Sequence, residues 1–411
     1  MASPSSIREV RAIVSSTFAT THANAATDSW ALTNSTVKKI RAVEADVSGL
    51  TQPGIEDMTL QTRFHQKPPM VAGLAKGNLK IVTYAGGAYS NIYVGPEWNM
   101  AAAGAGGMAH VTNARSHTAG AAVTTTNIAL DSVNTYVVAG QAALVGVRGD
   151  ARGGGEVKPI NGVSPDHIQL SVATSAAADT SDTVVLSTTI YPDEDAVQQY
   201  VDALVIGHAS ADQLQVIGGA PKFTVAGTAI GELPTLEFDM AVADWQHAPS
   251  GARATISHTV SPEGGEPSFY RGTGLIHIGD YNSSTRTAYK VTDITFDPGL
   301  TYEEVPSTTG VNGVGGMQHM PGVPTLECTI LTAEDDGLID DYPDTQKTVV
   351  LQFGSTATKT FAIELPRCYL DERPQRVEVN NLTGWKLKFH GTEAYTSGND
   401  LRSAAWRIHI F

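Results

Sequence analysis

The chain is poor in the residues that carry most enzyme and metal chemistry. It has only two cysteines in 411 residues, Cys328 and Cys368. Both sit among alternating apolar residues, the setting of buried free thiols, so no disulfide or cysteine-metal pair is expected. Charge is scarce, at 17%, and skewed: 27 Lys and Arg stand against 42 Asp and Glu, a net charge of −15. An acidic surface repels phosphates, which argues against conventional DNA or RNA binding. Five tryptophans, widely spaced, make no stacking platform for bases. No apolar run approaches the roughly 18 residues that a membrane-spanning helix needs. The opening MASPSSIREVRAIV lacks the apolar stretch of a secretory signal, so a chain folded in the cytosol is expected.

Catalytic signatures are missing as well. There is no GxGxxG opening a helix, no GxxxxGK[ST], no HExxH, no CxxC and no Gly-x-Ser-x-Gly. His65, His110, His117, His247, His258, His319 and His390 have no partner at metal-ligand spacing, and His277 and His409 lie in strand patterns. The acidic groups Asp193-Glu194-Asp195 and Glu334-Asp335-Asp336 lack the alternation of a calcium loop and suit a helix start and a solvated turn. Arg148-Gly149-Asp150 is a chance tripeptide in a Gly-rich loop. No catalytic, cofactor-binding or metal-ligating residue is nominated, no cofactor is expected, and an enzyme is not.

What is present is turn and strand material. Forty glycines and twenty prolines punctuate runs of Thr, Ser, Val and Ala, and the hydrophobic fraction is 41%. That composition belongs to a folded, mostly β chain long enough for two or three domains. Strand alternation is predicted at Met58–Phe64, Leu79–Tyr84, Ala143–Val147, His167–Ala173 and Thr183–Ile190. It recurs at Gly274–Ile278, Ala288–Phe296, Thr325–Leu331, Thr348–Phe353, Lys359–Glu364 and Arg376–Val379. Ser35–Val47 fits helix and strand spacing alike. One helix is predicted over Asp193–Ile206, where Pro192 and three acids precede Val197, Tyr200, Val201, Leu204 and Val205 at i, i+3/i+4 spacing. Residues 95–125 suit a loop with a short helix near Glu97–Ala103. Residues 1–28, 149–155 and 306–321 are expected as flexible arms and loops.

Gly218–Met240, two strands around a Gly-containing turn, has an echo in Leu382–Phe411. Lys222 matches Lys386, Val225 matches Phe389, and Gly227-Thr228 matches Gly391-Thr392, all in one register. Thr59-Leu60-Gln61 likewise matches Thr325-Leu326-Glu327, and Leu79–Tyr84 roughly matches Thr348–Phe353. These echoes predict two tandem β-domains, 1–245 and 246–411. The first carries the arm 1–28 and an insertion within about 95–195.

On these strand pairs, the helix at Asp193–Ile206 and the acidic Gly/Thr/Ala-rich composition, the chain resembles the major tail (tube) proteins of long-tailed bacteriophages, in their duplicated form. The resemblance implies β-sandwich or barrel domains with a flanking helix. It also implies self-assembly in the host cytoplasm into rings that stack head to tail as a virion tail tube, a conduit for genome DNA. Two domains per chain imply a trimeric ring with pseudo-sixfold symmetry rather than a hexamer, contacts with other tail proteins, and DNA that passes without specific binding. Another virion component, such as a capsid, decoration or baseplate protein, and a β-sandwich binding module are the competing readings.

Overall fold

Alternating apolar residues along short segments, closed by Asn, Gly and Pro turns, decide most of this chain's structure. The computed structural model describes residues 9–15, 18, 38–40, 42–52, 54–56, 70–72, 76–88, 94–109, 116–120, 124–130, 137–146, 155–164, 167–174, 182–193, 199–208, 212–227, 233–247, 275–320, 322–332, 337–340, 345–356, 358–394 and 401–411. Within them the chain is mostly β.

The chain opens with β1 (Glu9–Ser15), β2 (Lys38–Ile40), β3 (Ala42–Asp46), the short β4 (Leu50–Thr51), the hairpin β5 (Gly54–Glu56) and β6 (Met70–Ala72), and β7 (Lys76–Tyr84). An excursion follows: α1 (Pro96–Ala105), β8 (Gly106–Ala109), β9 (Ser116–Thr118), β10 (Asn127–Ala129), β11 (Ala142–Val145), β12 (Glu156–Ser164), β13 (His167–Leu170), β14 (Thr183–Leu186) and β15 (Thr188–Pro192). The chain returns through β16 (Tyr200–His208), β17 (Asp212–Gly227) and β18 (Thr235–His247). Pairing of β1 with β2, β3 with β7, β7 with β18, β18 with β17, β17 with β16 and β16 with β1 closes an antiparallel circuit, β2 and β3 serving as one strand. Its interior is filled by Leu79, Ile81, Phe223, Val225, Leu236, Phe238 and Met240.

The later strands are β19 (Leu275–Asp280), β20 (Thr287–Asp297), β21 (Thr301–Val311), β22 (Val314–Met320), β23 (Thr325–Leu331), then the single turn α2 (Gly337–Asp340). After it come β24 (Lys347–Phe353), β25 (Phe361–Leu370), β26 (Gln375–Val379), β27 (Leu382–Gly391) and β28 (Arg407–Ile410). Here β19 pairs with β20, β20 with β23, β23 with β27, β27 with β25 and β26, β25 with β24, and β24 with β19. β25 and β26 are two lengths of one strand bent at Asp371–Pro374, and Asn380 and Asn381, at φ 50 and 63, make the tight turn into β27. This second circuit also has six strands. Numbered by chain order within each barrel, both run 1-2-3-6-5-4, antiparallel throughout.

In the excursion, β9–β14 form a separate curled sheet in the order β10-β13-β12-β11-β14-β9, closed by a bridge between Ala119 and Leu130. It has its own apolar cluster around Ile128, Val145, Ile160, Ile168 and Leu186. Leu144, Val157 and Val185 on its other face pack on Val350, Ala362 and Phe411 of the second barrel.

Three expectations are corrected. The stretch predicted as helix is sheet: β16 pairs with β1 and β17, from Val201 opposite Gly219 to His208 opposite Asp212, while residues 194–198 lie outside those described. Its Val, Leu and Ile positions suit either periodicity, and strand partners on both edges, the adjacent β17 and the distant β1, satisfy its backbone better than a local helix. The flanking helix is instead α1, whose Trp98, Met100, Ala101, Ala103 and Ala105 are buried and whose Trp98 Nε1 donates to the Gly86 carbonyl at 2.7 Å. It lies where a short helix near Glu97–Ala103 is expected, although an Ala-rich helix buried on all sides shows no amphipathic stripe. Residues 301–320, expected to hold a flexible loop, form the β21–β22 hairpin, turned by Asn312-Gly313 at φ 49 and 79.

The arm is corrected in part, since Glu9–Ser15 is built into the first barrel. The ambiguous Ser35–Val47 resolves to strands β2 and β3. Leu382–Phe411 is not a hairpin: β28 pairs with β25 and β15, not with β27. By strand order, β17 corresponds to β25–β26 and β18 to β27, and β7 corresponds to β23 rather than to β24. The proposed match at Thr59–Gln61 and the expected strand at Met58–Phe64 lie outside the described residues, as do residues 248–274 around the expected domain boundary.

Candidate assembly interface

The two barrels meet by joining strands. The last residues of β17 pair with the last of β20, Val225 opposite Phe296, Ala226 opposite Thr295 and Gly227 opposite Ile294. One continuous sheet therefore runs β3-β7-β18-β17-β20-β23-β27-β26 through both barrels. Trp406 is wedged behind the joint, its ring 5.9 Å from Phe223 of the first barrel and 5.7 Å from Phe296 of the second.

A second contact reinforces the first. The β21–β22 hairpin leaves the second barrel and grips the first. Tyr302 directs its hydroxyl at the carbonyls of Gly104 and Pro221, both at 2.7 Å, and Asn312 Nδ2 donates to the Ala243 carbonyl and Asp244 Oδ1. Lys76 and Glu304 add an ion pair at 2.8 Å. This hairpin connects the second and third strands of its barrel. The first barrel carries β5–β6 at the same place in its strand order, and among the described residues those two strands pair only with each other.

The outer face of the continuous sheet is polar in both barrels. Strand alternation turns the apolar residues inward and leaves Lys80 on Glu237 at 2.7 Å and Lys222 on Asp239 at 2.9 Å. In the second barrel, Lys386 meets Glu327 at 3.0 Å and Lys388 meets Asp371 at 3.1 Å. Donation to Glu237 and the charge of that carboxylate raise the Lys80 pKa, and Asp371 does the same for Lys388. Acids without a lysine across from them, such as Asp293 and Asp297, are exposed on the same sheet.

The most charged buried cluster ties the excursion to the second barrel. Glu364 Oε2 accepts from Arg407 Nη1 at 2.9 Å and from His409 Nε2 at 3.0 Å. His409 Nδ1 faces Thr189 Oγ1 at 3.0 Å, and Thr189 meets Ser187 Oγ at 2.9 Å. Burial opposes the Glu364 charge, but Arg407 and the His409 hydrogen bond overcome it and hold the carboxyl at about 2. Burial lowers His409, so the ring is neutral, with Nε2–H donating and Nδ1 accepting. Both ring nitrogens are engaged inside the protein, as expected of a histidine in a strand pattern. Sequence spacing gave no sign that Glu364, Arg407 and His409 meet, since they come together only through the pairing of β25 with β28.

Cys328 and Cys368 are buried free thiols, pushed up in pKa by burial, and Cys368 Sγ donates to the Lys347 carbonyl. Among the described residues no three His, Cys, Asp or Glu side chains are grouped to hold a metal ion. No helix among them is long and apolar enough to cross a membrane. No protein-family model matches the chain, and no curated protein matches it.

Proposed function

We propose that this chain is a ring-forming structural protein that builds the tail tube of a long-tailed bacteriophage. The observation that carries the reading is the joint between two barrels of the same strand order. Whatever edge the first barrel offers the second, the second offers again at its far side. The edge of β17 that meets β20 corresponds to the outer edge of β26, and the edge of β20 corresponds to that of β3. Among the described residues β26 pairs only with β27, and β3 only with β7.

Unpaired strand edges are templates for another strand. Joining β26 of one chain to β3 of the next repeats the in-chain contact, and the β5–β6 hairpin then grips the preceding copy as β21–β22 grips the first barrel. Such a head-to-tail contact closes into a ring when the rotation permits. Three chains give six barrels and pseudo-sixfold symmetry. The eight strands of each chain then run on as one wall, with the Lys–Glu and Lys–Asp ladder and its surplus acids facing the channel. Net negative charge there keeps DNA phosphates from adhering. Rings stacked head to tail complete the tube in the virion tail.

The test is native mass spectrometry of the purified chain and of Val43→Asp. Val43 lies on β3 and is 53% exposed, so a charge there leaves the barrel intact and spoils the joint. The expected result is an assembly of roughly 130 kDa, three chains of 43.3 kDa, for the wild type and a folded monomer for the variant. A wild type that stays monomeric at every concentration, or a variant that assembles equally well, contradicts the proposal.

A further inference from the structure

A cleft of about 210 Å³ lies where the excursion, the second barrel and the segment before β28 come together. Its lining includes Arg286, Arg402 and Arg407, with Glu364 as the one carboxylate among the described residues. Among the described residues, guanidinium groups outnumber carboxylates in this lining, in a protein whose net charge is −15.

The charges are not equally served. Arg407 is spent: Nη1 goes to Glu364, Nε to the Leu401 carbonyl at 2.8 Å and Nη2 to the Arg402 carbonyl at 2.7 Å. Glu364 is claimed by Arg407 and His409. Arg286 is left with a long contact from Nη2 to Ser171 Oγ at 3.4 Å, and its Nε is buried without a partner. Burial lowers its pKa, with Glu364 opposing and Arg407 adding to the effect, as expected of a guanidinium lacking its own counter-ion. A half-buried guanidinium whose Nε is shut away without a partner is costly, and arginine's planar fork is suited to a carboxylate or phosphate.

We infer that this cleft is a binding site for one small oxyanion, held by the Arg286 guanidinium with Ser171 beside it. The cleft is wide enough to admit a phosphate with part of its hydration. Ser171 belongs to the excursion and Arg286 to the second barrel, so the anion clamps the two together. The inference stands on the cleft alone and holds whether or not the chain forms rings.

The experiment titrates sodium phosphate into the purified chain, against sodium chloride at matched ionic strength, by isothermal calorimetry and thermal unfolding. One saturable site per chain is expected, with a rise in midpoint of about 3 °C at a hundredfold excess over Kd. Arg286→Met is expected to abolish both signals. Arg286→Lys, which keeps the charge and loses the fork, is expected to weaken binding about tenfold. Phosphate bound by monomer but not by any assembled form identifies a neighbouring copy's carboxylate as the natural anion, and binding by both identifies a free one. No saturable heat in the wild type, or equal affinity in both variants, overturns the inference.

Discussion

Replacing Glu364 by glutamine removes one charge at nearly constant volume from the centre of the buried network. Glu364 is 2% exposed and its Oε2 takes hydrogen bonds from both Arg407 and His409. A glutamine oxygen in the place of Oε2 can still accept from both donors, but it brings no negative charge to balance the buried Arg407 guanidinium. Breaking one partner of a buried ion pair typically costs 3–5 kcal/mol. The depressed pKa gives an independent figure. A carboxyl moved from its ordinary 4.5 to about 2 on folding contributes about 3 kcal/mol near neutrality. The folded pKa lies below the unfolded one, so this contribution is complete above about pH 4.5 and disappears as pH falls toward 2. Spread over a chain of this length, it corresponds to roughly 4 °C in Tm. The assay is thermal or urea unfolding of wild type and Glu364→Gln at pH 7 and at several points down to pH 3. The difference between them should be about 3–5 kcal/mol at pH 7 and shrink steadily in acid. A difference below about 1 kcal/mol at pH 7, or one that ignores pH, refutes the reasoning.

Two further substitutions probe how the barrels are held together. Trp406→Ala empties the space between Phe223 and Phe296 and should cost about 3–5 kcal/mol in urea unfolding, whereas Trp406→Phe should recover part of it. Tyr302→Phe strips the hydroxyl aimed at the Gly104 and Pro221 carbonyls, with an expected loss of about 1–3 kcal/mol. Its distinguishing sign is faster amide exchange in α1 and β17 than in β24. The exposed pair Lys80–Glu237 is the control: Lys80→Ala should shift stability by less than about 1 kcal/mol, less still in high salt.

The β character and most strands of the second half were legible because those strands alternate cleanly. Leu326, Cys328 and Ile330 point in, while Thr325, Glu327 and Leu331 are less buried. The repeat was legible only as a repeat. Side-chain wording matched β17 to β27, because any strand on the polar ladder carries lysines between apolar residues, as Lys222 and Lys386 do. Strand order, which no single stretch encodes, assigns β17 to β25–β26. Of the two helices expected, the short one near Glu97–Ala103 is α1 and the longer one at Asp193–Ile206 gives way to β16. Val201, Leu204 and Val205 satisfy the helical spacing, yet β17, next in the chain, and β1, far from it, supply sheet partners on both edges. Ala101–Ala103 carry little periodicity, yet Trp98 anchors the helix from within. The Asn312-Gly313 turn was a readable hairpin signal, masked by the glycines around it. Neither the Glu364 network nor the Arg286 cleft had a sequence signature, since each gathers residues from elements far apart in the chain.

The joint between β26 of one chain and β3 of the next is the central claim, and electron cryomicroscopy of the assembled protein tests it most directly. The expected result is rings of three chains and six barrels in which β26 lies about 4.8 Å from the neighbouring β3, antiparallel, as β17 lies beside β20 within the chain. Rings closed through other surfaces, with β3 and β26 facing solvent, or an absence of rings under every condition of assembly, contradict it.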